Sequence, residues 1–183
     1  MNNVIKICAV LTLLLFAWGV YAKGNPSGSG DYKTDAPSDN LRIMVTEAWL
    51  LMYPENGGKP DYKKAYQMNE EAYKKGHSEG ASNIGLMYER GLGVKKDEAT
   101  ALKWYSSAMS SPYHSPQAEI GTARIILNNL PNQENLELAT KYLDAARSNA
   151  LNPISLWYEE RENFLKEIAI LQNELDYQNS KNQ

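Results

Sequence analysis

The chain has 183 residues, with 19 basic and 22 acidic side chains and a net charge of −3. Binding to nucleic acid or to an anionic membrane surface depends on clustered Lys and Arg, and the sequence contains no long basic block, so neither is an expected partner. Cys8 is the only cysteine. Internal disulfides and multi-cysteine metal sites are therefore excluded.

The N-terminal segment has the pattern of a secretory signal peptide. A short polar and basic head is followed by an apolar run from Ile7 to Val20, as such peptides require. Small or tolerated residues before the expected cut place cleavage after Ala22. The run is shorter than the roughly 20 residues of a spanning helix, and an uncleaved anchor is the alternative. Residues 1–22 therefore predict an exported bacterial protein, periplasmic or secreted, that does not insert into the membrane after cleavage.

Residues 23–40 are rich in Gly, Ser, Pro and Asp and lack apolar periodicity, which predicts a flexible linker. The folded domain should cover residues 41–177, with a disordered tail at 178–183. No stretch alternates apolar and polar residues as a strand does. An all-α fold is therefore predicted, with helices at 41–54, 62–75, 80–90, 98–110, 116–128, 135–148 and 153–177.

The chain contains an internal repeat. Ile120-Gly121 follows Ile84-Gly85 by 36 residues, and Asp97 follows Asp61 by the same distance. Self-similarity at such a period is the signature of stacked helix pairs. One helix pair cannot cover its own apolar stripe, so neighbouring pairs must stack against it.

The central copy, GHSEGASNIGLMYERGLGVKKDEATALKWYSSAM, resembles a SEL-one-like repeat, a relative of the tetratricopeptide repeat. The matching positions are Gly80, Ile84, Gly85, Tyr88, Gly91, Gly93, Val94, Asp97, Ala101, Trp104, Tyr105 and Ala108. The resemblance implies a short right-handed α-solenoid of antiparallel helix pairs, with repeats at about 45–80, 81–112 and 113–150. The helix at 153–177 would then cap the open end of the stack.

Small residues at the predicted helix crossing suggest how the central pair packs. Gly85 and Ala101 lack bulk, so the two backbones should approach closely. Trp104 is expected in the core, as is Trp49, which takes the place of Ile84 in the upstream copy.

The turn residues predict where these helices begin and end. Asp61 and Asp97 are expected to cap helices by accepting hydrogen bonds from free N–H groups. Gly91 and Gly93 suit a turn because glycine adopts positive φ without steric cost.

Residues 76–80 match the G-x-S-x-G pattern of a serine hydrolase, with Ser78 as nucleophile. Such an elbow needs a buried strand before it, whereas the preceding residues 70–75 form a charged helical stretch. A triad would also need His114 as its base. We therefore interpret Gly76 as a helix end, and predict no catalytic residue, metal or cofactor, since no metal-binding histidine pattern is present.

Relatives of the resembled family act mainly as adaptors in protein complexes. The resemblance implies a protein partner bound on a concave wall lined by Glu47, Leu51, Ser82, Asn83, Leu86, Glu89, Arg90, Ala118, Thr122 and Ile125. A sharper form of this expectation is an immunity protein that neutralises a type VI secretion effector, a secreted toxin, in the periplasm. The alternatives are a serine or β-lactamase-like hydrolase, and an adaptor for envelope assembly or stress signalling.

Overall fold

The computed structural model describes residues 39–55, 57–111, 114–129, 132–152 and 161–181. These residues form seven helices and no strand: α1 (Asp39–Met52), α2 (Tyr62–Lys74), α3 (Ser78–Arg90), α4 (Glu98–Met109), α5 (Gln117–Asn129), α6 (Gln133–Leu151) and α7 (Arg161–Lys181). The predicted all-α fold is confirmed.

Side-chain caps fix the starts of several helices. The Asp61 carboxylate accepts from the backbone N–H of Lys64 at 3.0 Å, and Asp97 accepts from that of Ala99 at 3.1 Å. Both predicted caps are confirmed. Asn132 caps α6 in the same way, so this helix begins at 133 rather than at the predicted 135.

Glycine and proline fix the helix ends. Gly91 ends α3 at a φ of +72°, and Gly76 follows α2 at a φ of +96°, a backbone conformation that suits glycine. α1 ends at Met52, before the predicted residue 54, because the residue preceding Pro54 disfavours helical ψ. α6 ends before Pro153 for the same reason, with Asn152 at a ψ of 120°.

The two ends of the described fold differ from the prediction. Asp39 and Asn40, the last residues of the predicted linker, already belong to α1. α7 continues to Lys181, so residues 178–181 of the predicted tail are helical. The predicted signal peptide, most of the linker and residues 153–160 of the predicted cap helix lie outside the described residues.

The helices stack as successive pairs in two layers. α1 packs on α2, α3 on α4, and α5 on α6, while α1, α3, α5 and α7 also contact one another in order. α1, α3, α5 and α7 therefore form one layer, called here the inner layer, and α2, α4 and α6 form the other. α7 takes the position of the first helix of a further pair and covers the end of the stack.

Tyr105 on α4 lies at the centre of the core, with none of its surface exposed. A Cβ atom added at Gly85 would lie 2.6 Å from the Tyr105 ring, and one added at Gly121 would collide with the same ring. The ring therefore passes between α3 and α5, which explains why the Ile-Gly pair recurs. The side chain that fills the space beside Gly85 is that of Tyr105.

The two tryptophans predicted for the core lie at its edge or outside it. Trp104 is half-buried and meets Tyr73 edge-on, with ring centroids 5.6 Å apart. Trp49 is 39% exposed, whereas Ile84, its equivalent in α3, is fully buried. The difference arises because the first helix pair covers α3, while no described helix covers the outer side of α1.

Candidate protein-binding surface

Most of the predicted binding residues are buried inside the stack. Seven have at most 8% of their surface exposed: Ser82, Asn83, Leu86, Glu89, Ala118, Thr122 and Ile125. The prediction that they line an open wall is wrong, because α3 and α5 are covered by helices on both sides. Leu51 is half-buried, and Glu47 and Arg90 are exposed.

The buried polar side chains of this set hold helices together. Asn83 donates to the Asn69 side chain on α2 at 3.0 Å, and the Asn69 amide approaches the Met52 sulfur on α1 at 4.0 Å. Thr122 donates to the backbone carbonyl of Ala118 on its own helix at 2.8 Å. Asn83 and Thr122 thus have partners within the chain, as most buried polar groups do, whereas the buried Ser82 hydroxyl has no hydrogen-bond partner among the described residues.

Glu89 belongs to a partly buried charged network that joins three inner helices. The Arg124 guanidinium on α5 donates to both Glu89 oxygens on α3, at 2.5 and 2.9 Å, and also to Glu167 on α7. The Tyr105 hydroxyl donates to Glu89 at 2.6 Å. The network was not predicted, because Arg124 and Glu167 lie outside the matched repeat and nothing in the sequence pairs them.

The electrostatics of this network keep it charged. Burial lowers the pKa of Arg124, but the hydrogen bonds and charge of Glu89 outweigh this effect and the pKa is raised above its ordinary value. Burial and the Glu89 charge both raise the pKa of Tyr105. Arg124 therefore stays protonated, and Tyr105 remains a hydrogen-bond donor.

The exposed aromatic and cationic groups gather where α1 and α3 end. The Trp49 and Tyr53 rings lie 4.8 Å apart at 47°, and the Arg90 guanidinium lies 3.4 Å from the Tyr53 hydroxyl. We call Trp49, Tyr53 and Arg90 the Trp49–Arg90 patch. The sequence predicted Arg90 as a binding residue but placed Trp49 in the core.

Two further tyrosines extend the aromatic surface beside this patch. Tyr66 and Tyr88 meet edge-on with ring centroids 6.5 Å apart, and Tyr53 and Tyr66 pack on the same core cluster. Burial, followed by a hydrogen bond with Tyr88, raises the pKa of Tyr66 to about 12. These rings are half-buried, so part of their surface stays open to solvent beside the core cluster that Tyr53 also contacts.

The residues around Ser78 have the geometry of a helix start. Ser78 begins α3, is 3% exposed and follows α2 through the turn at Gly76. No strand precedes it among the described residues, so the fold there differs from that of a nucleophile elbow. Burial, followed by the Arg42 charge, lowers the pKa of His77 to about 4.

His114, the base that a triad would need, forms a buried pair with Glu119. Its Nε2 lies 2.6 Å from the Glu119 carboxylate, and its Nδ1 lies 2.5 Å from the Ser111 carbonyl oxygen. Burial alone would lower the pKa of His114, but Glu119 raises it overall. Both ring nitrogens lie near oxygen acceptors, which favours the protonated form, and the side chain joins the α4–α5 turn to α5.

The described ranges contain no group of three or more His, Cys, Asp or Glu side chains positioned to hold a metal ion. None of the helices in the described part of the chain combines the length and hydrophobicity that spanning a bilayer requires.

The comparison with protein families agrees with the fold. The Sel1 repeat model matches residues 48–77 and 78–110, close to the first two predicted copies. The third predicted copy, 113–150, lies outside the match, although α5 and α6 form a helix pair there. Comparison with curated proteins gives no match. Residues 48–110 form two Sel1 repeats in an all-α solenoid, which supports a Sel1-like repeat protein.

Proposed function

We propose that this protein is a non-catalytic module that binds a protein partner through the Trp49–Arg90 patch. Sel1 repeats are generally protein–protein interaction modules, and a Sel1-type helical fold is typically a scaffold without catalysis. The observation that carries the proposal is an exposed Trp and an exposed Arg that both contact a half-buried Tyr across the seam between α1 and α3.

These residue types favour a protein ligand. Trp, Tyr and Arg are enriched among the few residues that supply most of an interface's binding energy. Tyr53 is half-buried and linked to both neighbours, so the patch is largely ordered before binding. An ordered patch loses less side-chain freedom on association than a flexible one.

Charge also bears on the kind of partner. Arg90 places a cation on the patch, and its guanidinium donates to the neutral Tyr53 hydroxyl. A carboxylate on the partner can therefore pair with Arg90, while an apolar or aromatic side chain packs on Trp49. We expect a partner surface with an acidic residue beside an apolar anchor.

Affinity capture from the native cell tests this proposal. The wild-type chain should retain one specific protein, and Arg90→Glu and Trp49→Ala should each weaken that binding by about 1–3 kcal/mol, roughly 5- to 150-fold. Arg147→Glu is the matched control, because Arg147 is exposed on α6, away from the patch. Circular dichroism should show unchanged helical content in every variant.

Two results would contradict the proposal. If the purified partner binds Arg90→Glu and Trp49→Ala as tightly as the wild type, the patch is not the binding surface. If the purified chain hydrolyses an ester or a β-lactam, and Ser78→Ala abolishes the activity, the non-catalytic assignment is wrong.

We propose further that the protein is exported to the periplasm and acts there as an immunity protein against a type VI secretion effector. The signal-like pattern of residues 1–22 supports export, and an interaction scaffold fits a protein that binds and blocks a toxin. Mass spectrometry of the protein from the periplasm should find Lys23 as the first residue. An intact N-terminus there would contradict cleavage.

The immunity proposal has its own test, which applies to the captured partner. A partner with toxic enzymatic activity should lose that activity when an equimolar amount of the wild-type chain is added. The Arg90→Glu variant, added in the same amount, should leave the activity largely intact. A captured partner that takes part in envelope assembly or stress signalling would instead support the adaptor alternative.

A further inference from the structure

A buried polar cluster lies where the α4–α5 turn, the start of α5 and the end of α6 meet. The His114 ring lies between the Ser111 carbonyl oxygen, 2.5 Å from Nδ1, and the Glu119 carboxylate, 2.6 Å from Nε2. The Asn149 side chain on α6 donates to the same Glu119 oxygen at 2.8 Å. The side chains of His114 and Glu119 are each 1% exposed. We call His114, Glu119 and Asn149 the His114 cluster.

The cluster joins parts of the chain that are distant in sequence. Ser111 directly follows residue 110, the last residue that the Sel1 repeat model matches, whereas Asn149 lies on α6, in the helix pair beyond it. Arg161 on α7 donates to the carbonyl oxygen of Ala150, the residue after Asn149, at 2.9 Å. The His114 cluster therefore ties the second repeat to the α5–α6 pair, close to the point where α7 is attached.

The proton on His114 decides whether these contacts can all be made. The protonated ring has an N–H on each nitrogen and can donate to both oxygens, whereas the neutral ring has one N–H and one lone pair. Either neutral form would place a lone pair 2.5 or 2.6 Å from an oxygen acceptor. The second Glu119 oxygen has no hydrogen-bond partner among the described residues, so the buried carboxylate depends on His114 and Asn149. A buried charge that loses its partner is strongly destabilising.

The groups that face His114 come from the α4–α5 turn, from α5 and from α6. Burial lowers the pKa of His114, but the charge and hydrogen bond of Glu119, together with the Ser111 carbonyl, raise it overall. α6 contributes the neutral Asn149 amide. Burial, followed by the Glu119 charge, also raises the pKa of Tyr142 on α6. This phenol therefore stays neutral and does not titrate together with the ring.

We infer that the His114 cluster is a proton-dependent clasp, which holds the α4–α5 turn and the end of α6 against the start of α5 and opens locally when His114 loses its proton. The rest of the stack stays closed, because Tyr105 and the Arg124–Glu89 pair hold α3, α4 and α5 together without a histidine. The junction should be most rigid below about pH 6.5, and should loosen as the pH rises through the folded pKa of His114. This inference goes beyond the proposed function and does not depend on it.

Hydrogen exchange of backbone amides, followed by NMR from about pH 6.5 to 9, tests the clasp. Exchange catalysed by hydroxide rises about tenfold per pH unit, and an opening that releases one proton adds a further tenfold between the open and closed pKa values of His114. The amides of Ser111, Ile120 and Asn152 form hydrogen bonds around the cluster. Their exchange should therefore rise about a hundredfold per pH unit in this range. The Ala65 amide, bonded at the start of α2, is the matched control and should show a rise of about tenfold.

Two variants assign the effect to the histidine. His114→Gln keeps an N–H donor but has no titrating proton, and Glu119→Gln removes the charge that favours the protonated ring. In each variant the exchange rate at Ile120 should rise by only about tenfold per pH unit. In the wild-type chain, direct NMR titration of the His114 ring should give a pKa above about 6.5.

Several results would overturn the inference. A rise of only about tenfold per pH unit at Ser111, Ile120 and Asn152 in the wild type would show that no opening is linked to His114. Exchange no faster than that of the Tyr105 amide in the core would show that these amides are exposed only by global unfolding. A His114 ring that titrates at or below about pH 6.5 would show that Glu119 does not hold its proton. An unchanged pH dependence in His114→Gln would assign the opening to another group.

Discussion

Replacing Gly85 by alanine tests the central packing arrangement. A methyl group at this position would lie 2.6 Å from two carbon atoms of the Tyr105 ring and 3.2 Å from a third, well inside the separation of about 3.5–4.0 Å that carbon atoms prefer. The ring cannot move away easily, because Gly121 confines its other end. Overpacking of this kind costs about 1–3 kcal/mol.

Helix propensity acts in the opposite direction, so the sign of the change is diagnostic. Alanine is about 1 kcal/mol better than glycine in a helix interior. Without a clash, Gly85→Ala would stabilise the protein; with the clash, we expect a net loss of up to about 2 kcal/mol. At about 2–4 °C per kcal/mol for a chain of this size, Tm should fall by several degrees.

Thermal unfolding followed by circular dichroism measures this change. Gly58→Ala is the control, since its added methyl meets Pro54 at an ordinary 3.5 Å, and its Tm should change little. Tyr105→Ala is destabilising by itself, but in that background Gly85→Ala should recover the benefit of helix propensity. A higher Tm for Gly85→Ala in the wild-type background would show that the Tyr105 ring does not pack against this position.

The charged network and the buried histidines give further predictions. Tyr105→Phe removes the hydrogen bond to Glu89 and should lower the free energy of unfolding in urea by about 1.5–3 kcal/mol; no change would show that this bond contributes nothing. Arg124→Gln leaves the Glu89 carboxylate without its cation and should lower the free energy of unfolding by about 3–5 kcal/mol. A decrease below about 0.5 kcal/mol would show that solvent screens the Arg124–Glu89 pair. The pKa of His77 is lowered to about 4 in the folded chain, whereas in the unfolded chain it has its ordinary value of about 6.5. The unfolded chain therefore takes up a proton at higher pH, and the free energy of unfolding should fall as the pH drops from about 6.5 to 4. His77→Gln should reduce that loss, and an identical pH profile would contradict it. The raised pKa of His114 acts oppositely, because its contribution is present below pH 6.5 and is lost as the pH rises through the folded pKa.

The repeat pattern predicted the fold because its signals are local. Asp61 and Asp97 cap helices through contacts within three residues, and Gly91 ends α3 by its own φ. Such features depend on the residue and its immediate neighbours, so they can be read from one sequence. The helix bounds were accordingly predicted to within a few residues for α1 to α6.

The binding surface could not be predicted in the same way, because exposure depends on which helices lie next to each other. Leu86 and Leu51 occupy equivalent places in consecutive copies, yet one is fully buried and the other half-buried. Trp49 and Ile84 differ for the same reason. A repeat alignment gives residues in equivalent positions equivalent roles, whereas the first copy has one neighbouring pair and the second has two.

Tyr105 couples the second matched repeat to the helix pair that the family model does not cover. Its ring contacts Gly121 on α5, and its hydroxyl binds the Glu89 carboxylate that Arg124 of α5 also holds. Separating the two pairs would therefore expose the ring and leave partly buried charges without partners, both of which are costly. Solenoids usually gain stability from contacts between neighbouring repeats. α5 and α6 are thus tied to the Sel1 repeats as firmly as a third copy would be, whatever their sequence similarity to it.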